Sequence, residues 1–94
     1  MNIRRLILDV GKGLTKPTLV DLSKAISSVK GVDGVNISVT EIDIETMGLN
    51  VTIEGSNIDY EDVIKEIENS GAVVHSVDEL AVGSKLIENI RREN

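Results

Sequence analysis

Three acidic residues, Glu41, Asp43 and Glu45, alternate with Ile42 and Ile44. On an extended strand, residues two apart project to the same side, roughly 6.5–7 Å from one another. Three carboxylates so placed offer hard oxygen ligands to Ca²⁺ or Mg²⁺, with water or a second subunit completing the shell. The plainer reading is a solvated edge strand whose charges discourage edge-to-edge pairing. The segment lacks the ligand spacing of an EF-hand loop.

A second candidate is His75-Ser76-Val77-Asp78-Glu79, which holds the only histidine. An imidazole beside carboxylates is a general-base or metal-ligand pattern, with Asp78 as the partner group. Against it, His75 alternates with Val73 and Val77, which places it on a helix-facing side as a satisfied histidine, while Asp78 points the other way. With no Cys and no second His, a catalytic transition-metal site is not expected. A third candidate is Gly11-Lys12-Gly13. Backbone N–H groups at a helix start can cradle an anion, but no Gly-Lys-Ser/Thr continuation follows, and a flexible connection accounts for the same residues. No G-x-S-x-G motif surrounds any serine.

Composition narrows the field further. Ninety-four residues make one domain, taken here as residues 1–94 with residues 83–94 as its C-terminal tail. The chain has no Cys, Trp or Phe and a single Tyr, so its core must be aliphatic. The net charge is −6, and the four arginines sit in pairs at the chain ends, Arg4-Arg5 and Arg91-Arg92. That is not the basic, aromatic-studded surface of a nucleic-acid binder. No apolar run reaches the ~20 residues of a membrane-spanning helix, and the N-terminus lacks a signal-peptide core and cleavage site. The expectation is a soluble cytoplasmic protein with neither a nucleic-acid nor a membrane partner.

The elements that must position these groups follow from periodicity. Ile3 to Val10 alternates as a first strand, with Leu6, Leu8 and Val10 on one face and Arg5, Ile7 and Asp9 on the other. Pro17 or Thr18, the latter with Asp21 three residues on, opens a helix whose stripe is Leu19, Leu22, Ile26 and Val29, with Gly31 as its closing residue. Val35 to Glu45 is a second strand whose apolar residues change parity after Val39. Either a bulge lies near Thr40-Glu41, or the second half buries its other face. Thr46 to Gly48 reads as the turn. Met47, Leu49, Val51 and Ile53 alternate as a third strand against Asn50, Thr52 and Glu54. Asp59 caps a second helix with Asp62 at its third position, and Gly71 ends it. Val73 to Leu80 is the fourth strand, and Leu86, Ile87 and Ile90 suggest a short final helix or tail.

The order β-α-β-β-α-β with right-handed crossovers gives an α+β, ferredoxin-like sandwich. Its four-stranded antiparallel sheet carries two helices on one face, and the other face is left open. The blocks Asp9-Val10, Gly31 to Ile37, Glu41 to Glu45, Val51 to Gly55 and His75 to Glu79 resemble the archaeal "domain of unknown function 211" family, nearly along the whole chain. The resemblance implies a ferredoxin-like fold, an archaeal cytoplasmic setting and ring-like homo-oligomers. It supplies no activity and no catalytic residues. The segment Gly11 to Pro17 departs from the family's Lys-Pro-His-like connection. Heavy-metal-associated domains of this topology need a Cys-x-x-Cys, and acylphosphatase-like enzymes need an Arg after the first strand. This chain has neither. The functional expectation is a non-enzymatic, homo-oligomeric binding or regulatory module, taking a divalent cation or a small ligand at subunit interfaces. Ile7, Ile42 or Ile44, Leu86, Ile87 and Ile90 are the interface candidates. The rivals are a structural scaffold and an enzyme using His75 and Asp78.

Overall fold

The structure, a computed structural model, describes residues 1–90. Arg91, Arg92 and the last two residues of the expected tail lie outside the described residues. Six elements follow in order: β1 (Ile3–Gly13), α1 (Leu19–Ser27), β2 (Val32–Ile42), β3 (Thr46–Gly55), α2 (Tyr60–Asn69) and β4 (Val73–Val82). The strands form one antiparallel sheet in the order β2-β3-β1-β4. The expected ferredoxin-like arrangement is what the chain adopts.

Alternation puts Leu6, Leu8 and Val10 of β1 beside Ile53, Val51 and Leu49 of β3, and all six are fully buried. Leu22 and Ile26 of α1 and Val63 and Ile67 of α2 close over them. Each such side chain, removed from water, stabilises the fold by roughly 1.5–3 kcal/mol. The helices are fixed at their ends by their own sequence. Asp21 N–H donates to Thr18 Oγ1 at 3.0 Å, and Thr18 N–H donates back to Asp21 Oδ2 at 3.3 Å. These bonds from Thr18, side chain first, hold the Asp21 carboxyl below the usual carboxylate range. On α2, Asp62 N–H donates to Asp59 Oδ1 at 3.1 Å. The helix closes by a Schellman motif, with Gly71 N–H bonded to Glu68 O and Ala72 N–H to Ile67 O. Gly71 has φ +104°, which a residue with a Cβ resists.

Several boundaries differ from the sequence expectation. β1 continues through Gly13, so Gly11-Lys12-Gly13 pair with Gly48, Met47 and Thr46 rather than forming a loop at a helix start. Both the flexible-connection and the anion-cradle readings of that segment are therefore corrected. The parity change in β2 is a bulge: Val39 pairs with Leu49 and Glu41 with Gly48, leaving Thr40 unmatched. β2 then ends at Ile42, and the turn is Asp43 to Glu45, not Thr46 to Gly48. Asp43 makes that turn by accepting Ile44 N–H on Oδ1 at 2.8 Å while its own N–H bonds Thr46 O at 2.8 Å. α1 ends at Ser27 with Ser28 as its C-cap, before Gly31. Gly31 (φ +92°) instead serves a close backbone crossing, where its carbonyl accepts Ser56 N–H at 2.9 Å.

After Gly83 (φ +117°), residues 84–90 form no helix. Their apolar residues are too few to build an amphipathic stripe. Glu88 anchors them instead, gripping the Arg5 guanidinium through both oxygens at 2.7 and 2.8 Å. Arg5 also meets Glu54 at 2.8 Å and Glu79 at 3.3 Å. The three carboxylates, Glu88 foremost, raise the Arg5 pKa, and Arg5 in turn lowers that of Glu88.

Candidate functional site

The sheet face away from the helices carries Arg5, Ile7, Asp9 and Gly11 of β1 and, paired with them, Glu54, Thr52, Asn50 and Gly48 of β3. This is the polar open face expected from the alternation. At one end of it the rungs run out of side chains, because Gly11 and Gly48 are direct cross-strand partners. Glycine inside a strand weakens the strand and often marks a place where something approaches the backbone closely.

The strands on either side each carry a register shift level with this glycine pair. On β2, the bulge residue Thr40 places its Oγ1 3.3 Å, and Glu41 its Cβ 3.4 Å, from where a Cβ on Gly48 would stand. On β4, Asp9 pairs with Ser76 and Val10 with Val74, so His75 is skipped by the register. A Cβ on Gly11 would land on His75 Nε2, with Cδ2 and Cε1 farther at 3.3 and 3.4 Å, so the imidazole points its Nε2 edge at that glycine. Two bulges on opposite flanks thus aim a hydroxyl and an imidazole at one spot. Between them lies a cavity of about 630 Å³, lined by Asp9, Gly11, Thr40, Glu41, Gly48 and His75 among others. That volume falls within the range of small-molecule sites.

Lys12 also borders the cavity, but its side chain serves the core. It falls on the helix-facing side with Leu6, Leu8 and Val10, is only 6% exposed, and donates from Nζ to Gly13 O at 2.7 Å, 3.9 Å from Met47 Sδ. No acidic side chain pairs with it among the described residues.

The sequence candidates are distributed unevenly. Glu41 lines the cavity, whereas Asp43 and Glu45 sit in the β2–β3 turn. The strand that was to align the three carboxylates ends before Asp43, so their ladder does not form. Among the described residues, no three His, Cys, Asp or Glu side chains gather to hold a metal ion. The Ca²⁺ or Mg²⁺ ladder therefore has no counterpart among the described residues. His75 lies on the open face over Gly11, not on the helix-facing side, because the bulge breaks its alternation with Val77. Asp78 is also skipped by the register, between Glu79 and Val77. It accepts from Ser76 Oγ at 2.7 Å and lines a different concavity, of about 660 Å³, between β4 and residues 87–90. His75 and Asp78 are thus not brought together.

Sequence reasoning missed Thr40, Gly48 and Asp9 as site residues. The available signal was glycine: Gly11 and Gly48 each extend an alternating strand pattern, and reading them as turn residues hid their pairing.

A family model described as an uncharacterized ArCR family, DUF211, matches residues 4–94. The chain is also 44% identical over 89 residues to the uncharacterized protein MJ0319 of Methanocaldococcus jannaschii, covering 95% of this chain and 91% of that protein.

Proposed function

This chain belongs to the DUF211 family, and we propose that it is a non-enzymatic small-ligand-binding module that associates with copies of itself. The observation that carries the ligand reading is the Gly11–Gly48 pair at the floor of a cavity, flanked by two bulges that deliver Thr40 and His75. Bulges recur beside functional sites because they re-aim a side chain without changing the sheet. A non-catalytic role is supported by the separation of His75 from Asp78, the one acid–base pairing its sequence suggested.

Self-association is supported by the apolar side chains that one copy leaves uncovered. Ile44 is 87% exposed at the β2–β3 turn, and Ile87 and Ile90 are 75% and 85% exposed beside β4. Burying them against a second copy would remove this apolar surface from water. Light scattering coupled to size exclusion is expected to report several copies, and a clean 10.2 kDa monomer at micromolar concentration overturns that half. For the ligand, a thermal-shift screen against a metabolite panel is run on the protein and on Gly48→Ala. A compound that raises the Tm of the first and not of the second is expected. Equal responses from both proteins throughout the panel overturn the cavity as the site.

A further inference from the structure

We propose that the C-terminal segment, residues 84–90, is exchanged between neighbouring copies of the chain, so that Glu88 of each copy clasps Arg5 of the next and each tail covers its neighbour's open sheet face. This rests on the reading of the protein as self-associating and names the surface through which the copies meet.

One copy holds its own tail by very little. Gly83 turns the chain at the end of β4, and its N–H donates to Asn2 O at 2.8 Å. Beyond it, no backbone hydrogen bond ties residues 84–90 to the sheet among the described residues. None of their side chains is buried, and the concavity between β4 and Ile87 to Ile90 stands open. What remains is the clasp, in which Arg5 donates to both oxygens of Glu88. The Glu88 side chain is still 67% exposed. An ion pair so open to water contributes little, and fixing the backbone of a whole segment costs more than one such contact returns. Ile87 and Ile90 can supply the difference only by leaving water, and one copy leaves both exposed.

A second copy supplies the missing cover. It carries the same Arg5, flanked by Glu54 and Glu79, so an exchanged clasp has the geometry of the internal one. Exchange therefore gives up no contact, and it adds the burial of Ile87 and Ile90 against the neighbour. An unrelated partner would have to bring a carboxylate in place of Glu88, whereas every copy has one. The turn permits the movement. Gly83 sits at φ +117°, and nothing lies within 4 Å of where its Cβ would stand, so the segment can leave in another direction without disturbing β4. Pairing of sheet edges is less suited to joining the copies. The edge strands are β2, whose register skips Asp33 and Thr40, and β4, whose register skips His75 and Asp78. Such bulges blunt an edge against a further strand.

The test mixes ¹³C-labelled and unlabelled protein, unfolds them in urea and refolds them together. Isotope-filtered nuclear Overhauser spectra then report only contacts between a labelled and an unlabelled copy. Contacts are expected from the Ile87 and Ile90 methyls to Leu80 and Ala81, which line the concavity with them. In parallel, the full chain carrying Ile87→Ser and Ile90→Ser, both at exposed positions, should keep its circular dichroism and associate about tenfold more weakly on dilution. Filtered contacts confined to tail against tail place each tail on its own copy and overturn the exchange, as does an oligomer with no filtered contacts from the tail. A doubly substituted protein that associates as tightly as the parent also overturns it. In these cases the parent still forms several copies and self-association stands. A monomeric parent removes self-association itself, so the two failures are distinguishable.

Discussion

Two alanine substitutions at strand glycines should behave oppositely, for reasons visible in the backbone. Gly55 ends β3 beside Gly31. A Cβ there would overlap the Gly31 carbonyl oxygen and stand 2.9 Å from the Gly31 carbonyl carbon and 3.0 Å from Asp33 N. All three are main-chain atoms, so nothing can rotate away. The start of β2 must separate from the end of β3, releasing the Ser56 N–H···Gly31 O bond and the Val32–Gly55 pairing. Overpacking costs about 1–3 kcal/mol, and each lost hydrogen bond adds roughly 1 kcal/mol. Gly55→Ala should therefore destabilise by about 3 kcal/mol or more. Gly48→Ala meets only the Thr40 hydroxyl at 3.3 Å and Glu41 Cβ at 3.4 Å, at a backbone angle alanine adopts freely. Replacing glycine within a strand gains roughly 0.5–1 kcal/mol, which offsets the crowding and leaves a net change within about 1 kcal/mol. Urea unfolding followed by circular dichroism, at one protein concentration because association contributes to stability, reads both. At a slope near ~1 kcal/mol per molar for a domain this small, Gly55→Ala should lower the midpoint by about 3 M or prevent folding. Gly48→Ala should move it by less than about 1 M. A Gly55→Ala protein as stable as the parent, or a Gly48→Ala protein equally damaged, would show the argument from close backbone approach to be wrong.

Leu8→Ala, at a fully buried site where β1 meets the helices, should cost about 2–5 kcal/mol in the same assay, and a loss under 1 kcal/mol would mean the site collapses freely. Thr18→Ala removes the reciprocal cap of α1 and should cost about 1 kcal/mol. Because the folded Asp21 carboxyl lies below its unfolded value, the cap's contribution is present above the ordinary carboxylate range and disappears as pH falls through the lowered value. Thr18→Ala should accordingly flatten the acid limb of the stability curve. The same sign applies to Glu88, whose pKa Arg5 lowers: the segment it holds should become protease-sensitive as pH falls through that value, in high salt, and in Arg5→Gln at neutral pH. Unchanged cleavage between residues 83 and 90 in Arg5→Gln would remove Arg5 as the anchor.

What could be read from the residues follows how local each cause is. Thr18 with Asp21, and Asp59 with Asp62, act within one helical turn, and the structure shows the bonds their spacing implies. The buried faces of β1 and β3 are set by strict alternation and were equally plain. The parity change after Val39 announced a bulge, although an alternative explanation remained until Thr40 was seen unmatched. What was hidden depends on register between distant strands. Nothing local says that Gly11 faces Gly48, or that β4 skips His75 and Asp78 as it follows β1. The acidic triplet illustrates the same limit. Its alternation fits a strand, yet Asp43 bonding its neighbour's N–H makes a turn there, and the ladder dissolves.

The position of β1 bears on how the chain is made. It is the first of the four strands in chain order and an interior strand of the sheet, with β3 on one side and β4 on the other. Ile3 pairs with Val82, so the strand most distant from it in sequence is one of its two neighbours in the sheet. Domains that depend on contacts between such distant segments fold slowly, because a long loop must close before any pairing rewards it. A nascent chain lacking β4 has an unsealed β1 edge carrying Leu6 and Leu8 without their Leu80 and Val77 neighbours. Such a chain presents a sticky strand to other unfinished chains. The sheet is therefore sealed only once β4 is in place, and a chain truncated before residue 73 should yield aggregate rather than a smaller soluble domain.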